Sequence, residues 1–446
     1  MRTGFFVIAA ALMGAAAARA DSAPDLRDCI AAALESHPGL EAAVYRVEAA
    51  RAAQRQARAG LMPSVSATGS FTTTDNPTQA FMMRMNQRAL DMSDPGFDPN
   101  QPGGMDNYRL SLGGRWMLID GGARAAGIAA AERGAGAADA QWAAARNALV
   151  HEVTRAYYGA LHARAFVAVQ GETVRSIEES LRMARERLAA GSAAKSDVLN
   201  LEARRAEAQE GLIRAENGAS VARVALNIAI GRDLVPESGP APCATDVPDA
   251  PAAPGGEARR PELAAARLGR EALEQAERAA RSQFAPTFTV FGSYDWDARK
   301  LSEDFEDSYV FGAAVEWELF SFGRRTGAVL EAQARRREAE ARERELAQAI
   351  RLDVAQADAG ARDARARYEV AGAGLESADE ALRITRERYR QGGADISELL
   401  HAETALASAR MRRESARYEY FTARSNQARA RGAAAGIDGA FPEDHP

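Results

Sequence analysis

Residues 108–119 read YRLSLGGRWMLI. Tyr108, Leu110, Leu112, Trp116 and Leu118 fall on alternate positions, with Arg109, Ser111 and Arg115 between them. A period of two marks a strand with two unlike faces. Most of the 446-residue chain is unlike this stretch: it is dominated by Ala, Arg, Glu, Gln and Leu, which favour helix. Apolar residues make up 46% but aromatics only 7%, so the helices are expected to be long and packed side by side through small residues.

Working outward from 108–119, the same alternation appears in three more places. Val65, Ala67, Gly69 and Phe71 alternate with Ser64, Ser66, Thr68 and Ser70. Phe288, Val290, Tyr294 and Trp296 alternate with Thr287, Thr289, Ser293 and Asp295. Tyr309, Phe311, Ala313, Val315, Trp317 and Leu319 alternate with residues that include Glu316 and Glu318. About ten residues, apolar on one side and polar on the other, is the pattern of a transmembrane β-barrel strand. Tyr108 to Trp116 spans about 26 Å along such a strand. Tyr108, Trp116, Tyr309 and Trp317 are therefore expected at the membrane interfaces.

The chain is written twice. LRMARERLAAGSAAKSDVLNLE (181–202) aligns without gaps to LRITRERYRQGGADISELLHAE (382–403), 201 residues later. The same offset lays YRLSLGGRWMLIDGG (108–122) over YVFGAAVEWELFSFG (309–323). Upstream, LMPSVSATGS (61–70) meets FAPTFTVFGS (284–293) at an offset of 223. The difference is an insertion in the first copy, residues 75–107, expected to be a long loop. Each copy reads helix, strand, strand, very long helix, turn, helix. The first copy gives 38–60, 64–73, 108–119, 123–189 and 194–231; the second gives 261–283, 287–297, 309–320, 324–389 and 394–431. Each long helix is about 100 Å at 1.5 Å per residue. The two shorter helices of a copy, stacked end to end, approach that length and would make a second parallel column.

Residues 1–20 have the basic start, apolar run and A-x-A end of a secretory signal peptide. Its removal takes Arg2 and Arg19 away and moves the formal charge from −6 to −8. Residues 21–234 form the first repeat, the Pro/Ala-rich 235–258 a linker, 259–432 the second repeat and 433–446 a tail. An acidic chain gives no sign of nucleic-acid binding. No other apolar run approaches a membrane helix. Cys29 does not sit where a lipid-modified N-terminal cysteine would; it and Cys243 either pair in an oxidising compartment or remain thiols.

Four strands cannot close a barrel, and open edges are not tolerated in lipid. The chain is therefore expected to oligomerise through its strands. Two copies give eight strands, which side chains fill; three give twelve, with room for a lumen. Three copies of four helical columns also give twelve columns. The fold expected is mainly α with a small β part: a trimeric 12-stranded transmembrane β-barrel continuous with a 12-column α-helical barrel.

In this organisation the chain resembles the TolC-type outer-membrane efflux proteins. The resemblance rests on the duplicated plan, on LMPSVSATGS and FAPTFTVFGS, on WMLIDGG with WELFSFG, and on the turns ERLAAGSAAKSDVLN and ERYRQGGADISELLH. It implies a homotrimeric exit duct across the outer membrane and periplasm. That duct would serve a tripartite efflux pump or a type I secretion system, with a periplasmic adaptor, an inner-membrane transporter and outer-membrane lipid as partners. The alternative is a periplasmic coiled-coil scaffold.

No catalytic constellation, P-loop or H-E-x-x-H pattern occurs, so neither an enzyme nor a cofactor is expected. Phe81-Met82-Met83-Arg84-Met85, with Met92 and Met105, holds five of the eleven methionines. Thioethers suit Cu(I), though such residues more often pack a loop. The turns carry the remaining expectations. The resemblance implies adaptor docking at Gly191, Ser192, Gly392 and Gly393. It also implies a periplasmic gate in which Glu398 is a lumen-facing carboxylate, His401 lies one turn on, and Asp197 and Tyr389 hold the closed tip. Ala394 stands where some relatives place a basic bridging residue.

Overall fold

The computed structural model describes residues 24–93, 98, 100–231 and 260–432. The expected signal peptide, linker and tail, together with Cys243, lie outside these residues. The elements in order are α1 (Leu26–Ser36), α2 (Pro38–Ala59), β1 (Ser64–Thr74), α3 (Pro77–Asn86), β2 (Met105–Ile119), α4 (Ala123–Ala189) and α5 (Lys195–Ile230). Then come α6 (Pro261–Ser282), β3 (Thr287–Ala298), β4 (Glu306–Glu316), α7 (Arg324–Arg390) and α8 (Ile396–Ala430). The two long helices have 67 residues each. Neither contains proline, and Ala, Arg and Glu at high density sustain them without a break.

Three details differ from the sequence reading. Helix α1 is an addition to it; Asp25 and Asp28 start this helix with a reciprocal capping box. The insertion 75–107 is not all loop. Asn76 caps α3 through the Gln79 amide, and Pro77 supplies a first residue already set for a helix. The fourth strand runs from Glu306 to Glu316, so Trp317 and Leu319 lie beyond it. Its start is earlier because Glu306 pairs with Asp297, and its end coincides with Thr287, the first residue of its neighbour.

The chain divides into two compact units: residues 47–138 with 265–343, and residues up to 46 with 139–264 and 344 onward. The first of these holds the sheet, an antiparallel meander in the order β1-β2-β3-β4. The register turns the sequence alternation into two faces. Ser70, Arg109, Asp297 and Glu306 lie opposite one another across the four strands, as do Thr68, Ser111, Asp295 and Ser308. One step along, Gly69, Leu110, Trp296 and Asp307 form the next row, and Ala67, Leu112, Tyr294 and Tyr309 the one after it. Since successive side chains point to opposite faces, one face is largely Ser, Thr, Asp and Arg, and the other largely aliphatic and aromatic. Among the described residues both outer strands keep an unpaired edge, and Val65, Tyr309, Phe311 and Val315 are strongly exposed. At the root of the sheet, Trp116 Nε1 donates to the Leu61 carbonyl at 2.8 Å, and Trp317 Nε1 to the Phe284 carbonyl at 3.1 Å. Each indole thus fastens a strand end to the turn that comes after a helix.

The other unit is helical and has two apolar cores. One gathers Cys29, Ile30, Val150, Val153, Tyr157, Leu226 and Phe421, with Tyr158 stacked on Phe421 at 4.9 Å. Half-buried beside this core, His151 faces Ser425 at 3.0 Å; partial burial, with Arg429 and Arg155 nearby, lowers its pKa to about 4. The second core gathers Ile177, Leu181, Leu201, Leu382, Tyr389, Leu399 and Leu406, and so joins α4, α5, α7 and α8 next to the two helical turns.

Candidate functional site

The turn between α4 and α5 and the turn between α7 and α8 are built alike. Gly191 and Gly392 sit at φ +74° and +82°, the left-handed position that ends a helix. The amide of Ser192 donates to the Arg187 carbonyl and that of Gly393 to the Arg388 carbonyl, both at 2.8 Å. The arginines then reach over their own turns. Arg187 Nη2 donates to the Ser192 carbonyl at 2.9 Å and Arg388 Nη2 to the Gly393 carbonyl at 2.8 Å. These are positions 201 apart making the same bonds.

The helices that begin after the two turns differ. Asp395 caps α8, its carboxylate accepting from the Glu398 amide at 2.8 Å. Ala194, in the same place before α5, supplies no side-chain cap. Glu398 pairs with Arg388 at 3.1 Å, both about half exposed. Asp197 instead accepts a 3.4 Å hydrogen bond from Ser196.

Tyr389 is almost fully buried. The Arg187 guanidinium lies 4.5 Å over its ring, and Arg187 Nη1 donates to its carbonyl at 2.5 Å. The first turn is thereby tied to the second by a cation–π contact and a charge-assisted bond. The Tyr389 hydroxyl is buried with no hydrogen-bond partner among the described residues. Burial raises its pKa; Arg187 opposes the shift and Asp197 adds to it. Of the four expected gate residues, the structure brings Asp197 into the electrostatic field of Tyr389 and seats Glu398 on Arg388. It leaves His401 exposed one helical turn past Glu398.

The sequence reading missed the strongest polar cluster here. Glu403 is buried, and Ser176 Oγ (2.6 Å), Ser180 Oγ (2.7 Å) and Arg386 Nη2 (2.8 Å) all donate to its carboxylate. Arg386 also binds Glu179 at 3.0 Å. The cluster joins α4, α7 and α8. Its counterpart 201 residues earlier is Arg185–Glu202 at 2.7 Å, which is largely exposed. The signal was present in the aligned repeats: Arg-Glu-Arg stands at both 185–187 and 386–388, and a glutamate at both 202 and 403. Ala394 packs beside the apolar core, and Arg187 and Arg388 supply the cations of the two turns.

In the sheet, Tyr108 lies 4.7 Å from the ring of Phe71, while Tyr309, Trp116 and Trp317 are exposed. Met82, Met85 and Met92 are exposed and Met105 is buried. Among the described residues no cluster of His, Cys, Asp or Glu has the makings of a metal site, and no helix is long and apolar enough to cross a membrane.

The chain combines a four-stranded sheet of two unlike faces with two helices of 67 residues, and known proteins share this plan. The outer membrane efflux protein model matches residues 29–232 and 257–433, and the chain belongs to that family. Its members are outer-membrane channels of tripartite efflux systems rather than enzymes, with a long periplasmic part. The chain is 27% identical over 379 residues to outer membrane protein OprJ of Pseudomonas aeruginosa, covering 82% of this chain and 75% of that one. Its fold matches the outer membrane protein VceC of Vibrio cholerae with a TM-score of 0.77 at 22% identity, over 92% of this chain and 96% of that one. It matches the Campylobacter jejuni CmeC outer membrane channel with a TM-score of 0.80 at 17% identity, over 91% and 85%.

Proposed function

We propose that three copies of this chain join β1 of one to β4 of the next, closing a 12-stranded barrel with the polar faces inside. The observation that carries this reading is the sheet itself. It has four strands, two unlike faces and two unpaired edges, and such edges are tolerated in lipid only when they are closed. The four helical columns of each copy then make a 12-column tube in the periplasm. The assembly is a passive exit duct for an efflux pump or type I secretion system, because no energy-coupling motif accompanies it. The adaptor docks at the turns holding Gly191, Ser192, Gly392 and Gly393, and transporter contact opens the tube.

The periplasmic gate lies at those same turns. Arg187 on Tyr389 keeps the two turns of one copy together, and Asp197, Glu398 and His401 are the polar groups of the constriction. Tyr108, Trp116, Tyr309 and Trp317 face the membrane interfaces. The cargo is chosen by the transporter, since a wide aqueous tube selects little.

Mass measurement in detergent is expected to give three chains per particle, and purified trimers are expected to form channels in planar bilayers. A stable monomer with intact strands would overturn the assembly. Ion conductance is expected to rise when Arg187→Ala is combined with Glu398→Ala, and an unchanged conductance would remove the gate from these turns.

A further inference from the structure

The insertion in the first half builds something that the duct reading does not use. After β1 ends at Thr74 on one edge of the sheet, residues 75–88 run to the opposite edge. Gln87 Nε2 donates to Asn107 Oδ1 (2.8 Å) and to the Asp106 carbonyl (2.9 Å), both on β2. Asn107 Nδ2 donates to Asp297 Oδ1 on β3 at 2.6 Å, where Arg109 also bonds. Arg88 then pairs with Glu306 (3.0 Å) and Asp307 (3.3 Å) on β4. Gln87, Asn107 and Asp297 are all buried. Crossing four strands takes about 14 Å at the usual strand spacing, and the ten residues of α3 give about 15 Å of helix. The segment is a strap as wide as the sheet.

Two facts fix where it lies. Asn107, Arg109, Asp297 and Glu306 belong to the polar face, so the strap lies over that face, and Arg88, at the β4 edge, also reaches Asp307 of the other row. Thr74, Met105, Ala298 and Glu306 are at the hairpin end of the sheet, away from the ends that lead into the helices. Within α3, Ala80 is fully buried while Met82 and Met85, on the opposite side of the helix, are about half exposed. The strap is also anchored at a cost: Arg88 adopts φ +49°, a conformation that a non-glycine residue seldom takes, and its guanidinium holds two carboxylates from there.

We propose that this strap is a second constriction of the duct, at its outward mouth, with Met82 and Met85 as its apolar lining. The inference rests on the trimeric reading above, which turns the polar face to the lumen. Three straps then stand in one ring, and six thioether side chains narrow the water column at that level. An apolar constriction hinders hydrated ions by dewetting while letting apolar solutes slip past flexible side chains. The strap thus filters what passes the outer end, independently of the periplasmic turns.

The test is single-channel conductance of purified trimers in planar bilayers, in the tip-opened background Arg187→Ala/Glu398→Ala. Onto it are placed Met82→Ser/Met85→Ser, which alters only exposed side chains, and separately a short Gly-Ser link replacing residues 76–88. Both are expected to raise conductance at least twofold over the tip-opened parent. Conductance equal to the parent in the Ser variant, with trimers intact by mass, would overturn the methionine constriction. If opening the tip itself changes nothing, the periplasmic gate falls. The strap variants are then read against wild type, where they rise if the strap is right and stay level if it is wrong. Absence of any conducting trimer would refute the duct and the strap together.

Discussion

The α4–α5 turn and the α7–α8 turn share a backbone and differ in almost everything that side chains add to it. Both close on a left-handed glycine, and both are spanned by an arginine that returns to the turn's own carbonyl. Past that point the second turn has a capped helix, an ion pair on Glu398 and a buried carboxylate below it, and the first has none of these. Instead, the first turn lends its arginine to the second, through Tyr389. The lesson is about division of labour. The second hairpin carries its own cap and ion pair, while at the turn itself the first is joined to it through Arg187, above the apolar core that both hairpins share. In the proposed opening of the tube, the half-buried Arg187 contact is easier to release than the buried Glu403 cluster.

The contrast is broken most severely at the two ion pairs. Arg386→Ala removes the cation from a carboxylate that is nearly inaccessible, and should cost about 3–5 kcal/mol. Arg185→Ala removes the equivalent cation from an exposed pair and should cost less than about 1 kcal/mol. Thermal denaturation of the two variants side by side measures the difference, and equal losses would mean that burial does not separate the two pairs. Glu403→Gln with Arg386→Met, which removes both charges, should recover much of the loss.

The glycines test the part that the turns share. Gly191→Ala and Gly392→Ala should each cost about 1 kcal/mol, because an L side chain is strained at these angles. The strain does not come from crowding, since an added Cβ at Gly191 meets nothing within 4 Å. Asn, which tolerates this conformation, should restore most of the stability at both positions. Any loss of export in the Asn variants with trimers intact then reports on docking rather than on the turn. Unequal costs for the two alanines would show that the backbones are less alike than their hydrogen bonds indicate.

How much of the molecule is legible in its sequence depends on the range of the interaction. The strands are legible because alternation is local and the faces are unlike, and the turns are legible because Gly-Ser and Gly-Gly interrupt long Ala-rich runs. The 67-residue helices are legible to within one residue for want of any breaker. The Glu403 cluster is not, because a glutamate 227 residues from Ser176 carries no local sign of burial. Helix α3 is hidden by the Asp, Asn, Pro and Gly around it, although Asn76-Pro77 is itself a helix start. Arg187 is hidden because the bridging cation is expected at the place of Ala394, which lies on the other hairpin.

A smaller effect comes from the caps. Asp395→Ala should cost about 1 kcal/mol, since it leaves the Glu398 amide without its carboxylate. The reverse change, Ala194→Asp, offers α5 the cap it lacks and a favourable charge at its N-terminus, and should stabilise by a few tenths to about 1 kcal/mol. Denaturation midpoints of the two variants should move in opposite directions. If Ala194→Asp gains nothing, the first turn is not simply an uncapped copy of the second.

The least costly change to the fold concerns the two acids past the turns, and here stability and conduction should part. Glu398→Gln breaks an exposed pair and should leave stability within about 0.5 kcal/mol of wild type. In the proposed trimer both acids form rings, but they do not present equal charge. Glu398 is partly neutralised by Arg388 at 3.1 Å, whereas Asp197 carries only a hydroxyl contact from Ser196 among the described residues. Asp197→Asn should therefore reduce cation selectivity more than Glu398→Gln does. Arg388→Ala, which frees Glu398, should raise selectivity above wild type. Reversal potentials in a salt gradient separate these three variants. If Glu398→Gln has the larger effect and Arg388→Ala none, the ion pair does not persist in the conducting state, and the two rings carry weights opposite to those their contacts within one chain assign.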